Sequence, residues 1–269
     1  MCTLKTKNNV AASLTITLAF ALAMIAPSRV LAAGPIETDG PDFVESSEVV
    51  GKGRYQFESD FESSRDQGTA IRRSSLTTLL RMGISDNIEA RVEIEGLARV
   101  FPATSATSAD SLGGTAIGLK WHSHDQDAVA GKPSISWIFH LEFPRTVGMA
   151  QSSTLQSSIR SVITWPFKQD WSVGLMPGIR FNTSPIGEHF VSASLGAVLG
   201  KKLNERWRVF AESATPQIAR ASQGGVLWSW DIGGAYLIND DWQVGMRAGA
   251  GLNRNTPTRN LLIELAGRF

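Results

Sequence analysis

From Gly53 onward, apolar and polar residues trade places every second position in one segment after another. Between residues 242 and 253, Trp242, Val244, Met246, Ala248, Ala250 and Leu252 share one face, and Gln243, Gly245, Arg247, Gly249, Gly251 and Asn253 share the other. Ile135, Trp137, Phe139, Leu141 and Phe143 alternate in the same way with Ser136, Ile138, His140 and Glu142. So do Trp171, Val173, Leu175, Pro177, Ile179 and Phe181 with Ser172, Gly174, Met176, Gly178, Arg180 and Asn182. The stretch at 261–269 places Leu261, Ile263, Leu265, Gly267 and Phe269 opposite Leu262, Glu264, Ala266 and Arg268. A period of two is the period of a β-strand. About twelve such segments follow one another, at 53–64, 71–84, 88–100, 112–123, 133–143, 154–167, 171–182, 190–202, 207–215, 226–238, 242–253 and 259–269. Each is near the length of a tilted membrane-crossing strand.

The connections sort into two kinds. Residues 85–87, 168–170, 204–206 and 239–241 are tight polar turns, and 102–111, 144–153, 183–189, 216–225 and 254–258 are longer links rich in Ser, Thr, Pro and Gly. Short turns at one end and longer loops at the other are the layout of an outer-membrane barrel. The link 124–132 falls on the short side and is not short. Trp165, Trp171, Trp207, Tyr236 and Trp242 lie near the short turns, while Phe101, Phe143, Phe181, Phe190 and Trp228 lie near the long loops, as in two interfacial girdles. The expected fold is all-β: a transmembrane antiparallel up-and-down β-barrel of about twelve strands, closed between 53–64 and 259–269. Pro177 removes a ladder donor from its strand and predicts a bulge there.

Charge decides which face points inward. With the apolar face toward lipid, the lumen receives Arg73, Arg81, Glu89, Arg91, Glu93, Glu95, His140, Glu142, Arg160, Arg180, Arg247 and Glu264 as its candidate lining. Arg54, Glu58, Asp60, Glu62, Arg99, Lys120, Arg208, Glu212, Asp231 and Arg268 fall on the same face. A dry core could not hold so many charges, whereas a wet lumen can. Glu89, Glu93 and Glu95 sit within reach of Arg73 and Arg81 on the neighbouring strand and can act as struts across the ladder. The alternative arrangement is a basic row facing an acidic row across the pore.

The N-terminal residues read differently. Lys5 and Lys7 precede an apolar run from Val10 to Ala26, followed by small residues at 32–34, which predicts a secretory signal peptide over 1–33. Its removal takes away Lys5, Lys7 and Arg29 and leaves 23 basic against 25 acidic residues, with no basic excess to attract nucleic acid. The single cysteine, Cys2, goes with it, so disulfides and thiol chemistry are excluded from the mature chain. Residues 34–52 form an acidic leader ahead of the barrel at 53–269. It reads either as a solvated periplasmic stretch or as a plug, with Asp39, Asp42 and Glu45 pairing with lumen arginines.

Reaction chemistry is sparse. His122-Ser123-His124-Asp125 holds metal-type residues, but no third ligand is identifiable and the segment runs into a polar turn, so a solvated turn is the expectation. There is no Gly-x-Ser-x-Gly elbow. His140 selects no serine partner, and a barrel-borne lipid hydrolase would need its histidine on the lipid face. The sequence implies no metal, no cofactor and no enzyme. It implies a bacterial outer-membrane location, with outer-membrane lipid around the barrel and a small-molecule solute within it. Phe269, at the end of the closing strand, is the expected signal to the barrel-assembly machinery.

Two stretches carry a family resemblance. Thr38-Asp39-Gly40-Pro41-Asp42-Phe43-Val44-Glu45-Ser46 leads through Gly51-Lys52-Gly53-Arg54 into Tyr55-Gln56-Phe57-Glu58, and Leu80-Arg81-Met82-Gly83-Ile84-Ser85-Asp86-Asn87-Ile88-Glu89 forms a hairpin. Both resemble the Putative MetA-pathway of phenol degradation family of transporter-like outer-membrane proteins. The resemblance implies a transporter-like barrel over nearly the whole mature chain and is silent on the solute. Passage of small, aromatic or weakly polar compounds is the expectation from a narrow charged lumen with Phe and Trp near the loops, and the alternatives are a lipid-acting enzyme or a structural barrel without transport activity.

Overall fold

The computed structural model describes residues 34–66, 71–101, 109–143, 154–168, 170–184 and 187–269. The expected signal peptide, and the loops at 102–108 and 144–153, lie outside the described residues. The strands are β1 (Tyr55–Arg65), β2 (Arg72–Gly83), β3 (Ile88–Phe101), β4 (Ala109–Leu112), β5 (Thr115–His124), β6 (Ser134–Glu142), β7 (Gln156–Pro166), β8 (Trp171–Thr183), β9 (His189–Lys202), β10 (Trp207–Ile218), β11 (Val226–Asn239), β12 (Trp242–Gly251) and β13 (Arg259–Arg268). All neighbours are antiparallel. β3 pairs with β4 from Leu97↔Leu112 to Val100↔Ala109 and with β5 from Ile88↔Trp121 to Ile94↔Thr115. β4 and β5 are therefore one stave interrupted at Gly113–Gly114, and the barrel has twelve staves. The link 102–111 thus loses its last residues to β4.

Closure follows the final strand. β13 pairs with β1 from Gln56↔Arg268 to Arg65↔Arg259, so neither end strand keeps a free edge. The burial pattern of β13 identifies the two faces: Ile263 is 51% exposed, whereas its neighbours Leu262 and Glu264 are 6% and 1% exposed. Apolar residues line the outside around the barrel, including Phe61, Leu119, Trp137, Trp230, Ile232 and Met246. An apolar outer band enclosing buried charge is stable where the surroundings are lipid. At the short-turn end, aromatic rings pack in pairs: Trp207 with Tyr236 across neighbouring staves at 4.7 Å, Phe57 with Trp242 over Gly267 of the stave between them at 5.7 Å, and Phe167 with Trp171 across a turn at 6.3 Å.

Three local findings differ from expectation. Pro177 makes no bulge: β7 and β8 pair in one register on both sides of it, from Arg160↔Gly178 to Ile163↔Leu175. The proline that coincides with a shift is Pro216, where the pairing of β10 slips against both β9 and β11. A shift between Ser75 and Thr77 in the β2–β3 ladder brings Arg99 opposite Ser74, on the outer face rather than the lumen face. The long link at 124–132 is also a built turn. Asp127 and Lys132 form a bridge, and the Asp127 carboxylate accepts from the Val129 and Ala130 N–H groups at 3.1 and 3.0 Å.

Candidate functional site: the filled lumen

Residues 36–50, which precede β1, lie within the ring of inward-facing side chains at the short-turn half of the barrel. Ile36, Thr38, Asp39, Asp42, Val44, Ser47 and Val50 are all buried. The segment is no strand of the wall; its backbone is satisfied largely by wall side chains, as buried amides require. Ile36 N–H donates to the Asp240 carbonyl in the β11–β12 turn at 2.8 Å. Glu58 accepts from the N–H groups of Asp39 and Gly40 at 2.8 and 3.3 Å. Glu212 accepts from those of Phe43 and Val44, both at 2.8 Å, and Glu89 from that of Val50 at 2.9 Å. In the other direction, Arg81 donates to the Glu37 and Glu48 carbonyls at 3.2 and 2.9 Å, and Gln56 donates to the Glu37 carbonyl at 2.9 Å.

Ion pairs cross the same boundary. Asp39 lies 2.8 Å from Lys120, 3.0 Å from Arg91 and 3.5 Å from Arg81. Asp42 takes a two-pronged pair from Arg208 at 2.6 and 2.8 Å. Glu45 is held between Arg91 and Arg160, each at 2.7 Å. Burial would raise the Glu45 pKa, but Arg160, Arg91 and Lys120 outweigh it and hold the carboxyl well below the ordinary glutamate range. Glu37 goes the other way: burial raises its pKa against the opposing pull of Lys202 and Arg208.

The expected lumen residues divide by height. Arg81 and Glu89 form a fully buried pair at 2.8 Å, and Glu58 joins Arg81 at 2.8 Å. Arg73 is exposed at the long-loop rim and pairs with Asp66 at 2.7 Å instead of with the glutamates of β3. Arg180 and Glu142 meet at 2.9 Å, with the arginine half exposed. Arg247 lies 3.9–4.0 Å from Glu62, Glu212 and Asp231. Glu264 is buried with neither carboxylate oxygen hydrogen-bonded, and Glu95 accepts from the Gly114 N–H at 3.2 Å. Glu93 points inward from β3, opposite Leu79. A basic row facing an acidic row is not what the wall presents: Arg81 and Arg91 stand among the glutamates, and the segment supplies their further partners. His140 is buried beside Arg160, whose Nη2 lies 3.2 Å from its Nδ1, and points away from lipid.

The sequence assigns no such role to several residues that tie the segment down. His122 is no solvated turn residue: its Nδ1 lies 2.9 Å from the Ser47 carbonyl and its Nε2 2.9 Å from Asp125. Ser134, Ser136 and Gln243 also bond to the segment, at Ser47 and Thr38. A further departure is apolar. Ile138, Val162 and Met176, on the inner face of β6, β7 and β8, are at most 1% exposed and pack with Val44, and Phe43 and Val198 pack against them. The period-two pattern hides these residues, since each is an apolar residue on the otherwise polar face.

At the long-loop end, Leu155, Phe181, Phe190 and Val191 join Thr154, Ser157 and Asn182 around an open hollow of about 350 Å³. Among the described residues no group of histidine, cysteine or acidic side chains is placed to hold a metal ion.

A closed twelve-stave antiparallel barrel with an apolar exterior and a charged interior is a bacterial outer-membrane barrel. The chain belongs to the Putative MetA-pathway of phenol degradation family, whose model matches residues 38–269. That match begins inside the segment that precedes β1. Among solved structures, the fold is similar to an outer membrane channel from Pseudomonas putida F1, at 12% identity and a TM-score of 0.62 over 86% of this chain and 99% of that one. It is also similar to the KdgM porin, at 12% identity and a TM-score of 0.50 over 79% of this chain and 99% of that one. No curated protein matches the chain.

Proposed function

We propose that this protein is an outer-membrane channel for small, aromatic or weakly polar molecules, closed at its short-turn end by residues 35–50. The observation that carries the reading is the way the segment is held. It crosses a charged lumen held largely by wall side chains, with the Ile36–Asp240 backbone bond at its start and no ladder to any strand of the wall, so it can leave without breaking the wall. The short-turn end faces the periplasm in barrels of this kind, so the segment acts as an inner gate. The lumen above it is lined by Arg180, Glu142, Arg247 and Glu62.

Planar-bilayer recording tests the gate. The full chain is expected to conduct weakly, and deletion of residues 34–50 to raise conductance several-fold. Arg180→Ala in the deleted barrel is expected to shift selectivity toward cations, because it removes an exposed positive charge from beside Glu142. Folded protein that conducts nothing in either form, with liposomes that take up no solute, would end the channel reading.

The assembly machinery is assigned to the C-terminal strand through Phe269. Deleting Phe269 is expected to lower the folded fraction in outer membranes several-fold. Arg268→Ala should lower it less, since Arg268 points inward and pairs with Asp241 at 2.9 Å. Equal assembly of the Phe269 deletion and the parent would remove that assignment.

A further inference from the structure

The inner wall of an outer-membrane barrel of this composition is expected to be polar throughout, yet one patch of it is not. Ile138, Val162 and Met176 lie on three consecutive staves, Ile138 diagonally across from Val162, and Val198 completes the patch on the fourth, diagonally across from Met176. Room over the patch comes from Gly174 and Gly196, which pair with Val198 and Met176 respectively. A Cβ on Gly196 would lie 2.6 Å from a methyl group of Val44 and 2.8 Å from the Phe43 ring, and one on Gly174 would lie 3.1 Å from Val44. The two glycines thus shape a hollow that Phe43 and Val44 occupy. At its edge stands Glu212, whose neighbour across the ladder is Val198. Its two carboxylate oxygens each accept one N–H, from Phe43 and from Val44.

What fills the hollow is therefore an aromatic ring and an aliphatic group joined to hydrogen-bond donors aimed at a carboxylate. When the segment leaves, the hollow and the carboxylate stand open together. Water satisfies Glu212 but not the apolar patch, and an apolar surface in a narrow wet lumen favours whatever apolar solute can cover it. Resting on the gate reading above, we infer that this hollow is a solute site on the inner wall, that its ligand is a small aromatic ring carrying one hydrogen-bond donor, and that Phe43–Val44 is its built-in competitor. The gate and the solute then exclude one another by mass action: ligand bound at the hollow favours the open segment, and the closed segment lowers the apparent affinity.

The test uses the full chain, folded in lipid vesicles, with 1-naphthol as the probe and its saturable fluorescence change as the readout. Phe43→Ala with Val44→Ala vacates the hollow and is expected to tighten 1-naphthol binding about tenfold over the parent. Val162→Asp added to that pair is expected to abolish saturable binding. Glu212→Ala added instead is expected to weaken 1-naphthol roughly tenfold and to leave naphthalene, which has no donor, unchanged, the size expected for a hydrogen bond to a charged group. A Ser47→Cys, Ser134→Cys pair, at side chains whose hydroxyl oxygens lie 2.8 Å apart outside the hollow, locks the segment in place in a chain whose only other cysteine is Cys2. Oxidation is expected to remove binding and reductant to restore it, which decides the matter should the alanine pair misfold. Binding that is the same in the parent, the alanine pair and the oxidised lock overturns the inference. A barrel that conducts on deletion of 34–50 yet shows no such binding loses this site and keeps the channel. One that binds as described but never conducts loses the channel and keeps the site.

Discussion

Arg81→Ala should free the N-terminal segment from the wall while the staves stay paired. Arg81 is fully buried and bonds Glu58, Glu89 and the carbonyls of Glu37 and Glu48, with Asp39 at 3.5 Å. Its removal leaves Glu58, Glu89 and Asp39 close together in a buried space without the cation that balances them. Deleting one partner of a buried ion pair typically costs about 3–5 kcal/mol, and the part of the molecule able to relieve that repulsion is the part not laddered into the sheet. The expected result is rapid proteolytic cleavage within residues 35–50 of folded, heat-modifiable protein, against slow cleavage of the parent. Arg81→Lys should fall between the two, because an ammonium keeps the charge but cannot reach four acceptors with a planar fork. If the alanine variant kept the segment as protected as in the parent, Arg81 would be a strut of the wall and nothing more.

The same residue shows how far the sequence could be read. Period-two alternation was enough to place Arg81 and Glu89 on the inward face and on neighbouring strands, because strand geometry is local. Twelve staves, closure by the last strand and an apolar exterior follow from the same local rule. The acidic leader could be recognised as a possible plug from its charge alone, but its partners could not be read. Phe43 and Glu212 are 169 positions apart, and no periodicity links them. Arg99 was misplaced because a register shift beside Gly96 inverts the faces after it, and the sequence signals such a shift weakly. His122 looked like part of a solvated turn since the turn follows directly, yet its ring is aimed inward at Ser47. Ile138, Val162 and Met176 are apolar residues on the otherwise polar inner face, and alternation alone gives no reason for them. They are explained once Val44 is seen to cover them, so the exceptions to the alternation mark where the segment sits.

The residues that carry the family resemblance take on a physical meaning in the same way. Asp39, Asp42, Phe43 and Glu45 on the segment, and Gln56, Glu58, Arg81 and Glu89 on the first three strands, are members of the contact set that fills the lumen. The motif residues therefore lie in the contacts between the segment and the wall as much as in the wall itself. That makes the closed state sensitive to the ionisation of the groups that hold it.

Lowering the pH should open the channel, and Glu45 should carry much of the response. Its carboxylate lies between Arg91 and Arg160 when the segment is seated, and these cations hold its pKa below the ordinary value despite burial. In a released segment the group returns to the usual glutamate value, about 4.3. A pKa lower in the seated state means that seating is favoured by this group above the free value, and that the advantage falls away as pH drops through the released pKa toward the seated one. Glu37 opposes the trend in detail: its pKa is raised by burial, so acid relieves a cost of seating instead of removing a benefit. The parent is therefore expected to conduct weakly near neutrality and increasingly below about pH 4. Glu45→Gln should already conduct more at pH 7, since Arg91 and Arg160 lose their shared counter-charge, and should rise less on acidification. Glu37→Gln should leave a steeper acid opening than the parent. Recording all three between neutrality and pH 3 separates the contributions, and an acid response that survives Glu45→Gln at full size would assign the opening to other groups.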